Sequence, residues 1–343
     1  MLHILRRIRQ KLINDKKILN YLLYAIGEML LVVMGIIIAL QINNSNEAKK
    51  NDIKFQVLLS EVKKDLEYNI SSNEDLLKFY IKKDSIFTDA QTKSLTKEDY
   101  ESTSLHSFRH LLFNRMAFKL KKIGYDNLIR NLENVPDRYD DLLKELSKLY
   151  EEKAAFLVSQ QEAIKEGNDL FINDLSKTKS WFYLVSEPGY HEEMVEYFLN
   201  DPFYKNALEL NKSNINTILN ISSEFQQHAV EVYTLLLEYL KDPGDIPDRI
   251  QSILNPTYEW DYSGLYSYVD KGREIIFDVK KGEGKFTFSM PNGPAIKLLY
   301  LGKHKFMALG SNIYFKFEQD SIGQPLLNFL RAGEIVVFTK KEE

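Results

Sequence analysis

The chain contains no cysteine, which excludes a disulfide framework, a thiolate metal site and a thiol nucleophile. It also lacks a strong bulk charge: 45 Lys and Arg against 49 Asp and Glu leave −4, no electrostatic reason to expect nucleic acid. Long apolar runs are equally scarce. One stands out, YLLYAIGEMLLVVMGIIIALQI from Tyr21 to Ile42. The remainder is ordinary for folded protein, 44% hydrophobic and 27% charged, and 343 residues leave room for two or three domains.

That run of roughly 22 residues spans about 33 Å as a helix and matches a bilayer core of about 30 Å. Its exit, IALQINNSNE, offers no small-x-small cleavage site, so it predicts a retained signal anchor. Arg6, Arg7, Arg9, Lys11, Lys16 and Lys17 precede it against Asp15 alone, whereas the lysines that follow are nearly balanced by acids. The positive-inside rule then places the N-terminus in the cytoplasm and the bulk of the chain outside. Met1, Ile4, Leu5, Ile8 and Leu12 share a helical face opposite Arg6, Arg7 and Arg9, a pattern for lying on an anionic membrane surface, with Lys11 adding charge. Alternatively these basic residues only set topology.

Within the span, Glu28 shares a face with Ala25, Gly35 and Ala39. Gly35 and Ala39 form a small-xxx-small pair that lets helices approach closely, and a polar side chain on that face can hydrogen-bond across the contact. A lone carboxylate in lipid costs roughly 3 kcal/mol at mid-membrane. A helix–helix interface, through self-association or with another membrane protein, offsets that cost. The alternative is a carboxylate that snorkels toward Lys16, Lys17 or headgroups.

The stretch RRIRQKL followed by YLLYAIGEMLLVVMGIIIALQINNSNE resembles the N-terminal signature of a family of uncharacterised single-pass membrane proteins common in Bacteroidota. Ser45 stands where an aromatic is usual. The resemblance implies an anchor in the inner membrane of a bacterial envelope and brings no activity with it.

Beyond the span, Phe55, Leu59, Val62, Leu66 and Ile70, then Leu77, Tyr80 and Ile81, recur at helical spacing. A polar stretch around TDAQTKSLTKEDYESTS ends that pattern, a further helix is expected from about Leu105 to Ile123, and NVPDRYDD opens another. Tyr204, Leu208, Asn211, Ile215, Ile218, Ser222, Phe225, Ala229, Val232, Leu236 and Tyr239 are spaced 4, 3, 4, 3 throughout. This heptad seam predicts coiled-coil-like packing in an antiparallel bundle, with a parallel oligomeric coiled coil as the alternative.

After KDPGDIPD the pattern changes to short alternating runs: GLYSYV, REIIFDV, GKFTFSM, AIKLLYL, KFMALG, IYFKFEQ, PLLNFL and EIVVFTK. Eight strands argue a small antiparallel barrel or sandwich. YSGLYSY, GKFTFSM, KFMALG and IYFKFEQDSIG resemble the small β domain found after penicillin-binding-protein-like serine hydrolases, which implies a fold and an accessory role.

Catalytic patterns are sought without success. SEVK, SLTK and SKTK fit S-x-x-K, but the companion S-D-N and K-T-G motifs are missing. His106 and His110 in HSFRH are four apart, yet Ser107 stands where a zinc protease needs Glu, and ordinary surface histidines are expected. Arg109, Arg115, Lys119, Lys121 and Lys122 are expected to form a basic helical face, either solvated or docking on an acidic partner or anionic lipid.

The resulting expectation is a mainly α protein with a C-terminal all-β domain. It comprises a basic amphipathic helix (1–20), a spanning helix (21–42), an extracytoplasmic helical bundle (43–241), a linker (242–257) and a β domain (258–343). It is expected to act as a membrane-anchored periplasmic interaction or sensory scaffold, without catalysis, metal, cofactor or nucleic acid. The alternative is a module that binds a small envelope ligand through the β domain or an inter-helix cleft.

Overall fold

The computed structural model describes residues 17–92, 95–101, 107–132, 135–187, 189, 191–282, 285–311, 313–331 and 334–341. The chain divides into two compact units, Met1–Val57 with Leu132–Pro136, and Leu58–Asn131 with Asp137–Glu343. Helix α1, Lys17–Thr92, contributes to both. Its first part carries the apolar run, and from Met29 to Ile42 the large apolar side chains are exposed. It is long and apolar enough to cross a membrane. The proposed surface residues Arg6, Arg7, Arg9 and Lys11 lie outside the described residues.

In the second unit, α1 buries Leu59, Val62, Leu66, Ile70 and Leu77, the face that the spacing predicts. The other helices are α2 (Ile123–Arg130), α3 (Asp140–Ser147), α4 (Ala155–Thr178), α5 (Glu192–Asn200), α6 (Pro202–Tyr239) and α7 (Asp248–Leu254). A π-helical turn, Lys148–Ala154, joins α3 to α4. Helix α6 starts cleanly, because Asp201 accepts hydrogen bonds from the amides of Phe203 and Tyr204 and Pro202 occupies the first turn. At 38 residues it is about 57 Å long. Nine of the eleven seam residues are buried, with Leu208 and Tyr239 half-buried. Glu67 meets Tyr233, Asn73 meets Ser222 and Gln226, and Asp84 faces Lys212. Numbers rise along α1 as they fall along α6, so the two run antiparallel.

The segment from about Leu105 to Ile123 departs from its expected helix. Among the described residues of this segment before Ile123, a 3-10 turn forms at Phe108–His110, and residues 114–122 run as an irregular strap. Side chains of the neighbouring helices satisfy its backbone. Asn69 of α1 donates to the Lys121 carbonyl at 2.7 Å and accepts from the Lys121 amide at 2.8 Å. Tyr80 donates to the Met116 carbonyl, Lys83 to that of Asn114, and Gln161 of α4 accepts from the Phe118 amide. Unpaired backbone groups buried here would each cost about 1–3 kcal/mol, which explains why α1 carries polar residues on a buried face. The strap leads into α2, whose first amides donate to the buried carboxylate of Asp65 across the interface. Gly124 is required there: a Cβ would stand 2.5 Å from the Glu61 carbonyl carbon.

The expected basic face therefore does not form on a helix, and Arg109 is not part of it, while Arg115, Lys119, Lys121 and Lys122 stay at least partly exposed. Arg109 is fully buried, donating to the carbonyls of Tyr100, Glu187 and Gly189 at 2.9, 2.6 and 2.5 Å. Arg115 pairs with Asp169, and Lys122 with Asp126. His110 is buried rather than superficial, its Nδ1 3.1 Å from the Ser107 hydroxyl, while His106 lies outside the described residues.

Strands β1 (Gly264–Asp270), β2 (Arg273–Gly282), β3 (Lys285–Ser289), β4 (Ile296–Gly302), β5 (Lys305–Ala308), β6 (Tyr314–Gln319), β7 (Pro325–Arg331) and β8 (Glu334–Lys340) follow the eight alternating runs. They form a closed antiparallel barrel in sequence order, β8 returning to β1 at Tyr266↔Lys340 and Ser267↔Thr339. A two-residue type I′ turn needs positive φ at both central positions; Lys271 and Gly272 supply it at 48° and 83° between β1 and β2. The interior is filled by Phe277, Phe286, Phe288, Phe306, Phe315, Phe317, Leu327 and Phe338, with Tyr262 and Tyr266. Eight strands enclose a space of about this size, so side chains occupy it.

Candidate functional site

With the barrel interior filled, the room for a ligand lies on its outer face. A cleft of about 880 Å³ opens between strands β4 to β8 and the helices α1 and α6. Strand alternation builds the barrel wall. Phe315 and Phe317 point into the barrel, so Tyr314 and Lys316 point out of it; Lys305 faces outward on β5 for the same reason. Leu301, Ile313, Leu330 and Ile335 give this wall an apolar floor. Asp84, Ser85, Thr88 and Asp89 line the opposite wall from α1, and Glu209, Lys212, Asn216 and Asn220 line it from α6.

The two walls are held together outside the cleft. Lys297 of β4 donates to Glu231 of α6 at 2.9 Å. Arg249 of α7, in the connection between bundle and barrel, clamps Glu74 and Asp75 of α1 at 2.7 and 2.5 Å. The expected linker thus contains a short helix that grips the bundle.

Electrostatics concentrate at one point of the cleft. Burial pushes the Asp84 carboxyl up to about 6, and the Lys212 ammonium opposes that shift. Burial, reinforced by the Asp84 charge, raises the Tyr314 phenol well above its ordinary range. The Tyr314 hydroxyl and the Asn220 side-chain oxygen are buried and find no hydrogen-bond partner among the described residues. Both atoms are covered by the surrounding protein and are not open to the cleft.

A second polar cluster packs against the barrel core. His304 stacks on Trp260 at 3.7 Å, with Glu259 2.8 Å from its Nε2 and the Tyr262 hydroxyl 2.9 Å from its Nδ1. The order hydroxyl, imidazole, carboxylate is that of a hydrolytic triad. Here the Tyr262 ring packs among Phe286, Phe306 and Phe317, and burial raises the pKa of its hydroxyl, which opposes its use as a nucleophile.

Of the residues singled out in the span, Glu28, Gly35 and Ala39 are exposed on α1, seven and four positions apart, and therefore on one face. The side chain of Ala25 is outside the described ones. The cleft residues were not legible in advance. Alternation in IYFKFEQ separates Tyr314 from Phe315 by face, but nothing local to that run indicates which helices cover it. Among the described residues no group of three or more His, Asp or Glu side chains is placed to hold a metal ion.

No curated protein and no solved structure matches the chain. A family of unknown function (DUF6090) matches residues 28–111, the stretch from Glu28 through the rest of α1 to the buried Arg109 turn. At that level the match accords with the resemblance of the N-terminal signature to uncharacterised proteins.

Proposed function

We propose that the protein is a membrane-anchored interaction or sensory scaffold that acts through a partner rather than by catalysis. The observation that carries this reading is α1: one helix contains both a wholly exposed apolar stretch and, beyond Leu58, the buried face of the bundle. Exposed apolar area on that scale needs lipid or another helix to cover it. In this reading the helix passes the inner membrane of a bacterial envelope once, with the N-terminus cytoplasmic and the bundle and barrel periplasmic. Glu28, Gly35 and Ala39 form the contact with a second spanning helix, of another membrane protein or a second copy.

Membrane cross-linking followed by affinity purification and mass spectrometry tests the assembly, comparing the wild type with Glu28→Gln and Glu28→Leu. A specific partner lost in the leucine variant is the expected result; an unchanged partner list overturns the role of Glu28. Orientation is checked separately, because the natural chain lacks cysteine. Ile322, 84% exposed in the β6–β7 turn, is changed to Cys and treated with an impermeant maleimide on intact spheroplasts. Labelling before lysis is expected, and labelling only after lysis reverses the topology.

A further inference from the structure

We propose that the cleft between bundle and barrel binds an anionic single-chain amphiphile, its head group on a lysine pair of the barrel wall and its chain along an apolar row beside that pair. The inference goes beyond the anchoring role and stands independently of it.

The register of the barrel builds both features. Phe306, Ala308, Phe315 and Phe317 belong to the core, so the residues that alternate with them on β5 and β6 point outward. Lys305 pairs across the strands with Lys316, and two residues along Met307 pairs with Tyr314. This second row continues from Tyr314 to Leu330 of β7 and from Leu330 to Ile335 of β8. Met307 is fully buried although it faces out of the barrel, which marks where the barrel is covered. Leu330 is half-buried and Ile335 is 63% exposed, so the same row emerges into the cleft. From Tyr314 to Ile335 it crosses two strand spacings, about 10 Å. Ile313 and, from α1, Ile81 add apolar surface to the cleft.

The lysine pair calls for an anion, because like charges directly opposite on neighbouring strands repel. Glu318 answers it in part. It pairs with Lys316, and its carboxyl is held below the ordinary value chiefly by the hydrogen bond from Lys316, with the Lys305 charge adding a smaller effect. One carboxylate facing two ammonium groups leaves this part of the wall positive, about 7 Å along the strands from the apolar row. On the helical wall Asp84 stands beside Lys212, while Asp89, Glu209 and Lys212 are engaged in interactions of their own. Carboxylates on that side direct an anionic head toward the barrel.

Volume and lining narrow the class. The cleft, about 880 Å³, lies near the upper end of the range for small-molecule sites, roughly 300–1,000 Å³. A wholly polar anion would satisfy the lysines and leave the aliphatic row in water. An uncharged chain would cover the row and leave the lysines unmatched. A negative head on an aliphatic chain of about 10 Å or more does both.

The test uses the full chain in nanodiscs of zwitterionic phospholipid and a dodecanoate analogue with a diazirine near the end of its chain. After irradiation, cross-linked peptides are mapped by mass spectrometry. The expected result is labelling of β7 and β8 that dodecanoate or dodecyl phosphate suppresses, with dodecanol and dodecyltrimethylammonium at least about tenfold less effective. Whichever anion competes at the lower concentration identifies the head as carboxylate or phosphate. Lys305→Gln combined with Lys316→Gln should lower barrel labelling about tenfold, and so should Ile335→Asp. All three side chains point outward and are at least partly exposed, so these variants should melt with the wild type. Labelling confined to the apolar stretch of α1 overturns the proposal. So does equal suppression by dodecanol or by the cationic analogue, or unchanged barrel labelling in the lysine double variant. The competition series needs only the wild type, and none of these outcomes bears on the Glu28 cross-linking, so the two readings fail separately.

Discussion

The bundle and the barrel solve the same packing problem with opposite cores. Inside the barrel the buried side chains are aromatic or aliphatic, and the hydroxyl of buried Tyr266 bonds the Tyr262 carbonyl. The bundle buries Asp65, Asn69, Asn73, Lys83, Arg109, Ser222 and Gln226. The difference follows from where each architecture keeps its backbone hydrogen bonds. Barrel strands bond their neighbours directly, so the ladder fixes register and the core need only fill volume. A helix satisfies its backbone internally, so its alignment with the next helix rests on side chains alone. Buried polar side chains supply that alignment here, and they also satisfy the strap that crosses the bundle.

Breaking the polar core should therefore cost more than its size suggests. Arg109→Ala strands three buried carbonyls and removes the tie between the Tyr100 and Glu187–Gly189 segments; a loss of about 4 kcal/mol is expected. Urea unfolding can assign that loss to a region, because the chain has only two tryptophans: Trp181 in the bundle and Trp260 beside His304 on the barrel. The bundle signal should shift first. In the barrel, Phe277→Ala is expected to cost about 3–4 kcal/mol through cavity formation, whereas Phe277→Leu, which retains much of the volume, should cost no more than about 1.5. The comparison sharpens at Asn69. Replacing it with Leu keeps the branched outline of the side chain yet leaves the Lys121 amide and carbonyl unpaired, so a loss of about 2 kcal/mol is expected where the barrel tolerates its conservative change. A bundle that accepted Asn69→Leu at no cost would refute the alignment argument.

The same contrast explains what could be read in advance. Each of the eight strands is legible because alternation and turn residues are local signals, and closure of the barrel follows from having nowhere else to bury the Phe-rich face. The α6 seam is legible for the equivalent reason at helical period. The segment around Arg109 misled because Phe108, Leu111, Leu112, Phe118 and Leu120 interleaved with basic residues suggest an amphipathic helix. Its structure is decided instead by Asn69, Tyr80, Lys83 and Gln161, each more than thirty residues away along the chain. The cleft was hidden in the same way: Asp84, Lys212, Asn220, Lys305 and Tyr314 come from both architectures, and no spacing rule links them.

The smallest expected effect belongs to Asp84, where the two regions meet. Its carboxyl is raised from 3.8 to about 6 chiefly by burial, with Lys212 opposing the shift. Because the folded-state value lies above the unfolded one, the folded state binds the proton more tightly. The contribution is fully present below about pH 4 and is lost as the pH rises through about 6. Stability should thus fall by about 1 kcal/mol across that window after allowance for solvent reaching the cleft. Asp84→Asn carries no charge to desolvate, so its unfolding midpoint should not show this component and should equal or exceed the wild type above pH 6. Trp260 and Trp181 should report the change together, since Asp84 faces both the barrel and α6. A wild-type midpoint that climbs through the same window with Asp84 intact, and stays level in Asp84→Asn, would mean that the carboxylate is stabilised by Lys212 rather than strained by burial.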